Sequence, residues 1–411
     1  MKKILLINNF LSKYGGAEGV VLNQASLLNE SGNECYFFST DKAPLFIDDY
    51  KYLNYFPKFN DSKKLSLTNP QKILQTFYNT EAKNKLSAYI NHIKPDVALI
   101  HNFQFNLTSS VIDCCKQHKL KTILFLHDPR CFCPGGTLSY NDNYCHNEYC
   151  IKGNPAKCLM YKCKNNNLKA SILASLNFMF LRSQKIFEKV DTVLCPSQAI
   201  KDLAVRSGVS SEKLHVISNY IENNKLNKPV ANINGDHFLY VGRLSREKGV
   251  HYLIEAMKKT PQDIKLRIVG EGEEKDKLQK LVEASGLFNI TFTGYKSGEA
   301  LKAEYSGCLA TILPCNWFEN NPLTLLESLL YGKPAIAANI GGIPEIIEHN
   351  VNGLLFEAGN VQELAQSIEY LWNNKSIAKE MGFNGRKKAE EFYNQDIYLK
   401  KLSNILLQLI I

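Results

Sequence analysis

Strand-length apolar runs alternate with helix-length segments along the whole chain, and this alternation constrains the fold more than any other feature. Lys3–Asn9, Cys35–Thr40, Val97–Asn102, Thr122–His127, Thr192–Pro196 and Leu214–Ser218 are almost uninterrupted apolar runs. A second series follows at Phe238–Gly242, Lys265–Gly270, Ile290–Gly294, Leu309–Pro314 and Pro334–Ala338. Between most of them apolar residues recur three or four apart, the period of a half-buried helix. Continuous apolar strands separated by helices are the pattern of parallel sheets covered on both faces. The Asn-rich stretch 220–236, which contains Lys228-Pro229, separates the two series and reads as a linker. The expected fold is therefore α/β, with two doubly wound, Rossmann-like domains over residues 1–219 and 237–392. They face each other across a cleft, because ligands of such sheets sit outside the carboxyl ends of the strands. A last helical pattern, 393–411, is a candidate to cross back to the first domain.

Charge and glycine gather at the strand ends of the second series. The richest segment is Trp317-Phe318-Glu319-Asn320-Asn321-Pro322-Leu323-Thr324-Leu325-Leu326-Glu327. Asn321 is expected to cap a helix that Pro322 opens and Gly332 stops. Glu319 then lies in the loop before the helix, and Glu327 roughly one and a half turns inside it. The amides of Leu323 and Thr324 point out of the helix start, beside the positive end of its dipole, which makes an anion site. Two carboxylates flanking a phosphate-sized site suit sugar or ribose hydroxyls. The plain alternative is a capped surface helix with two solvated glutamates.

The segment Gly242-Arg243-Leu244-Ser245-Arg246-Glu247-Lys248-Gly249 follows the strand Phe238–Gly242. Arg243 offers a rigid fork of donors and Lys248 a compact charge. Together they can neutralise a departing diphosphate without a metal, or form an ordinary basic turn. Gly341-Gly342-Ile343-Pro344-Glu345, Gly270-Glu271 and Gly294-Tyr295 stand at neighbouring strand ends, where glycine lets backbone approach a ligand closely. In the first domain, Tyr14-Gly15-Gly16-Ala17-Glu18 is a loop of the same kind, without the G-x-G-x-x-G dinucleotide spacing. His127-Asp128 ends the strand Thr122–His127 on the cleft side, where a lone histidine is either structural or functional.

The segment 130–164 interrupts the first domain with no clear period and carries six of the twelve cysteines. Cys145, Cys150, Cys158 and Cys163 lie within nineteen residues. Four thiolates suit a closed structural zinc site, although the spacing is looser than the paired C-x2-C of zinc ribbons. Free thiols and a disulfide framework are the alternatives. The basic pattern Leu168–Val190, with Lys169, Arg182, Lys185 and Lys189, is either a helix covering the first sheet or one lying on an anionic membrane.

Composition removes other classes. Of 411 residues, 45% are hydrophobic and 22% charged, which excludes disordered and low-complexity chains. The net charge, 49 − 40 = +9, permits phosphate or anionic-membrane binding without requiring it. No apolar stretch reaches the ~20 residues of a membrane span. Met1–Ile7 runs into Asn8-Asn9 without a cleavage site and reads as a first strand rather than a leader. The expected location is cytoplasmic, extending to the inner face of the membrane, with reduced cysteines. Scattered basic residues and the absence of a known motif exclude nucleic acid.

The motif set resembles the retaining glycosyltransferases of family 4, which have the GT-B fold. Glu319 and Glu327 match the family's E-x7-E motif, Arg243 and Lys248 its basic pair, and Gly341–Glu345 its glycine loop. Asn352–Phe356 matches the segment that follows, and Gly15-Gly16 and His127 match the first-domain elements. The resemblance implies a nucleotide diphosphate sugar held by the second domain and a saccharide or lipid-linked acceptor held by the first. Arg243, Lys248 and the helix start at Leu323-Thr324 would bind the diphosphate, Glu327 the ribose, and Glu319 the sugar ring. Gly270, Glu271 and Tyr295 would lie near the base and His127 against the transferred sugar. No catalytic cofactor is implied. Asn320-Asn321-Pro322 departs from the glycine-rich run that many members carry there. The expected role is sugar transfer in surface polysaccharide or glycolipid assembly. The rivals are a nucleotide-sugar 2-epimerase and a non-catalytic sugar-nucleotide-binding protein.

Overall fold

The computed structural model describes all residues except 12–15, 43–49, 61–69, 141–142, 146–147, 224–234 and 411. Fourteen strands are described. The first six-stranded sheet joins β1 (Lys3–Ile7), β2 (Glu34–Phe38), β3 (Val97–Ile100), β4 (Lys121–Phe125), β7 (Thr192–Cys195) and β8 (Leu214–Val216) in the order β2-β1-β3-β4-β7-β8. Its neighbours all pair parallel. The second joins β9 (Phe238–Val241), β10 (Leu266–Val269), β11 (Ile290–Gly294), β12 (Ala310–Leu313), β13 (Ala335–Ala338) and β14 (Gly353–Phe356) as β11-β10-β9-β12-β13-β14, again all parallel. β5 (Ser139–Tyr140) and β6 (Asn143–Tyr144) form a small antiparallel hairpin inside the insertion.

These strands read as unbroken apolar runs because both faces are covered. Ile4, Leu5, Leu6 and Ile7 are all fully buried, each such side chain contributing on the order of 1.5–3 kcal/mol. All eleven expected strands are present, with bounds that differ from expectation by at most two residues at either end. β14, within the segment Asn352–Phe356, was not among the expected strands.

In both sheets the chain leaves a central strand in one direction first and then in the other. The reversals fall between β1 and β3 and between β9 and β12, which are the crevice positions of doubly wound sheets.

Two apolar clusters result, one around each sheet. The last helix, Gln395–Ile410, belongs to the first: Tyr398, Leu402, Ile405 and Leu406 are buried in that cluster although the chain has passed through the second domain. The pattern at Leu168–Val190 is not one helix. It forms Leu168–Ser183 and a short helix Ile186–Lys189, broken where Lys185 turns left-handed (φ 49°). Among the described residues no helix is long and apolar enough to cross a membrane.

Candidate functional site

The second-domain site is built where β9 and β12 end. Gly249, left-handed at φ 71°, brings the loop after β9 onto the loop after β12; a Cβ there would stand 2.0 Å from the Pro314 carbonyl. This contact lets Lys248 pair with the Glu319 carboxylate, although 71 residues separate them. The Trp317 indole N–H donates to the same Glu319 oxygen at 2.8 Å, and the Lys248 ammonium lies 5.1 Å from the Trp317 ring centre. Glu319 is 7% exposed, so two fixed donors hold a buried carboxylate. Arg243 is exposed and bonds Glu247 at 2.9 Å.

Glu327 lies on the helix Leu323–Leu330, half-buried, and accepts a 2.7 Å hydrogen bond from Tyr305. Burial, and then the Glu327 charge, push the Tyr305 phenol far upward, so it stays a donor. Pro322, not Asn321, occupies the cap position, extended at ψ 121°, and no side chain caps the helix. Asn321 is drawn instead to Asn219, the last residue before the linker. Its Oδ1 accepts from the Asn219 amide at 3.0 Å, and its carbonyl from Asn219 Nδ2 at 2.8 Å. Among the described residues the amides of Leu323 and Thr324 meet no acceptor, which leaves an anion-receptive helix start just after Glu319 in the chain.

The glycines of these loops pack closely on the protein's own backbone. A Cβ on Gly341 would stand 2.0 Å from the Glu319 carbonyl, and one on Gly342 1.8 Å from that of Asn320. The Gly342 amide donates to the Glu319 carbonyl at 2.8 Å. The loop thus presses on the protein's own backbone and fixes the segment that carries Glu319. Gly270 does the same against Gly242, 1.9 Å away. Glu271 pairs with Lys275 at 2.8 Å and Tyr295 is exposed, both at strand ends on the far side of β9.

On the first-domain side, His101 directly follows β3 and His127 lies two residues past β4, adjacent parallel strands. Their ring centres lie 5.0 Å apart with the planes 21° from parallel, and His101 Nδ1 lies 2.7 Å from His127 Nε2, so the rings meet edge to edge. Burial is the main cause that lowers both histidines, His127 to about 4, so both are neutral near pH 7. Gly15 lies outside the described residues. Gly16 opens the helix Gly16–Glu30, with open space around it. Glu18, in the first turn, is raised by burial, against the charges of Arg130, Lys42 and Arg243.

The two halves are joined beside this site. Asn320 Nδ2 donates to the carbonyls of Leu126 (2.7 Å) and His127 (3.1 Å), while Ser197 donates to its Oδ1. Phe318 is buried in the first domain's cluster. Glu345 accepts from the amides of Gln198 and Ala199, both at 2.8 Å, at the start of the first-domain helix Gln198–Arg206. A carboxylate there is favoured by the helix dipole. Asn320, Glu345, His101 and Trp317 were not expected as site residues. The first two make contacts between domains, which no local motif signals.

The cysteines of the insertion do not assemble as expected for zinc. None of Cys145, Cys150, Cys158 and Cys163 is joined in a disulfide. Among the described residues no three histidine, cysteine, aspartate or glutamate side chains are placed to hold a metal ion. The Cys163 thiol beside Cys158 draws Cys158 down to about 7 and is itself pushed upward. Burial instead raises Cys150 to about 12.

Two facing parallel α/β domains, with a basic and carboxylate-lined crevice at the strand ends of the second, define the GT-B class. The structure matches Anabaena HepE in complex with UDP with a TM-score of 0.68 over 100% of both chains, at 19% identity. It matches sucrose-phosphate synthase from Thermosynechococcus elongatus with a TM-score of 0.74 over 100% of this chain and 99% of the other, at 18% identity. The profile described as Glycosyltransferase Family 4 matches residues 14–225, and that described as Glycosyl transferases group 1 matches residues 222–388. The chain belongs to glycosyltransferase family 4. Over 170 residues it is 31% identical to an uncharacterized glycosyltransferase of Methanocaldococcus jannaschii, covering 41% of this chain and 43% of that one. It is 29% identical over 174 residues to the O-antigen chain mannosyltransferase C of Escherichia coli, covering 42% and 46%. The matched stretch spans about half the length of such relatives.

Proposed function

We propose that the chain transfers a sugar from a nucleotide diphosphate sugar to an acceptor hydroxyl, with retention at the anomeric carbon, in surface polysaccharide or glycolipid assembly. The observation that carries this reading is the Lys248–Glu319–Trp317 cluster in the loop that runs into the uncapped start of the helix Leu323–Leu330. The diphosphate docks on Lys248, Arg243 and the Leu323-Thr324 amides, and Glu327 accepts from the ribose. The bond from C1 to the phosphate oxygen breaks, and its electron pair leaves with the diphosphate. The acceptor oxygen bonds C1 on the same face and passes its proton to the departing phosphate. Placement and charge do the work, and no protein nucleophile or catalytic cofactor is invoked.

The test is incubation with UDP-, GDP- and ADP-sugars, following nucleotide release with and without candidate acceptors. Acceptor-dependent release from one donor supports the reading. An epimerised donor formed without acceptor replaces it with the 2-epimerase, and binding without turnover with the non-catalytic protein.

The same reading extends to a lipid-linked acceptor at an anionic membrane face, inside the cytoplasm. The helix Leu168–Ser183 buries Ser171, Ala174, Phe178 and Leu181 against the domain. Its outer side exposes Leu168, Ile172, Leu176 and Met179 by 43–52%. Residues 152–185 hold seven Lys or Arg and no Asp or Glu. An apolar stripe in an acid-free basic surround is the pattern of an interfacial helix.

A further inference from the structure

His127 is not an isolated imidazole. Its Nε2 contacts His101 Nδ1 at 2.7 Å, His101 Nε2 lies 3.0 Å from Gln24 Oε1, and Gln24 Nε2 donates to the Tyr398 hydroxyl at 2.5 Å. Gln24 is fully buried, as is Tyr398 to within 4%, and His101 is 1% exposed. The chain thus runs from the cleft to the C-terminal helix through the interior of the first domain. His101 is also clamped by parallel stacking on Phe125 at 4.3 Å, which holds its ring plane.

Direction along this chain is set by its amide. Gln24 spends its NH2 on Tyr398, so its carbonyl oxygen is the atom facing His101, and a carbonyl only accepts. His101 therefore carries its proton on Nε2. A neutral imidazole has one N–H, so His101 Nδ1 is an acceptor and His127 Nε2–H is the donor to it. His127 Nδ1 is left unprotonated on the ring edge away from His101. His127 is half-buried, and Asn320 of the second domain binds its backbone carbonyl.

We propose that Gln24 and His101 are positioning residues that lock His127 into the Nε2–H tautomer, so that its bare Nδ1 accepts a hydrogen bond from one hydroxyl of the transferred sugar. The sugar-binding half rests on the proposed transferase reading; the tautomer half does not. A fixed acceptor selects a hydroxyl that donates, and a site built to bond a hydroxyl rejects the analogue lacking it far more strongly than a merely shaped pocket does.

Two measurements test it. The first is long-range 1H–15N NMR of full-length protein labelled with [15N]histidine, without ligand, with His127 and His101 assigned from His127→Gln and His101→Phe. A protonated Nε2 and a pyridine-type Nδ1 on His127 are expected at pH 7. A protonated Nδ1, or exchange between tautomers, overturns the proposal. The second compares kcat/KM for the intact donor with a panel of its monodeoxy analogues. Wild type should discriminate at least tenfold against one analogue, and His101→Phe should lose most of that discrimination while its kcat/KM for that analogue stays within about twofold of wild type. Equal discrimination in both proteins overturns the role of His101. If the expected tautomer is seen but no analogue is rejected, the sugar assignment of His127 fails while the tautomer stands.

Discussion

The second domain holds its polar groups at the strand ends by ionic contacts, and the first domain holds its own by contacts between neutral rings. Lys248 meets Glu319 between the loops after β9 and β12, and Arg243 meets Glu247 within the first of them. Across the cleft, the rings of His101 and His127 meet edge to edge through a 2.7 Å nitrogen–nitrogen contact and are kept neutral by burial. On the proposed reading the difference is functional. The charged side matches a diphosphate whose negative charge grows as the bond breaks, and the neutral side sorts hydroxyls without adding charge near an electron-poor sugar.

The comparison breaks most visibly on the charged side. Arg243→Ala should lower nucleotide release by about 10²–10³-fold. Its melting temperature should barely move, because an exposed pair contributes only about 0–1 kcal/mol. Lys248→Ala should lose as much turnover and also destabilise, by about 3–5 kcal/mol, since it strips the cation from a buried carboxylate. Steady-state release assays beside thermal melts separate the two. Near-normal turnover in both variants would remove the phosphate assignment.

Asn320 belongs to neither side and joins them. Asn320→Ala leaves two backbone carbonyls and the Ser197 hydroxyl short of a partner at the seam between the domains. The expected loss is about 1–3 kcal/mol, read as a lower melting temperature. Turnover should fall less than in Arg243→Ala, because no charge is removed.

The neutral side is sharpened by pH. His127 titrates near 4 in the folded protein, against an unperturbed 6.5, so the unfolded chain binds the extra proton first as pH falls. Its contribution to stability is fully present above pH 6.5 and is lost progressively down to about pH 4. His127→Phe should flatten part of the fall in melting temperature between those values. An unchanged profile would mean that the imidazole is not held neutral by burial.

Legibility in the sequence followed the same divide. Strands such as Leu5–Ile7 and Ala335–Ala338 were legible because burial on both faces leaves apolar runs with no alternation to misread. β14 was not, because its four residues directly follow the turn at Asn350–Asn352 and are too short to show a period. The charged loops were visible as motifs, but the partner of Lys248 was not. That contact depends on β9 and β12 being neighbours and on the close approach at Gly249. His101 carries no motif and gains meaning only because β3 and β4 pair in register. The cysteine spacing invited a metal that the placement of the described thiols does not assemble. Asn321 looked like a cap but was claimed by Asn219, a competition between distant segments that local preference does not record.

The smallest expected effect on turnover is also the most selective. Leu176→Glu and Met179→Glu change outward side chains, 51% and 52% exposed, on a helix whose opposite side packs on the first domain. Neither touches the cleft residues, so melting temperature and nucleotide release with a soluble acceptor should stay near wild type. Co-sedimentation with vesicles rich in phosphatidylglycerol should instead fall sharply. Each substitution replaces an inserting apolar group with an anion beside an anionic surface, removing both attractions of an interfacial helix at once. Raising salt should weaken wild-type binding only in part, because the apolar share of the contact is not screened. Binding abolished by salt alone would reduce the surface to its lysines, and binding indifferent to lipid charge would leave the acid-free surround without a role.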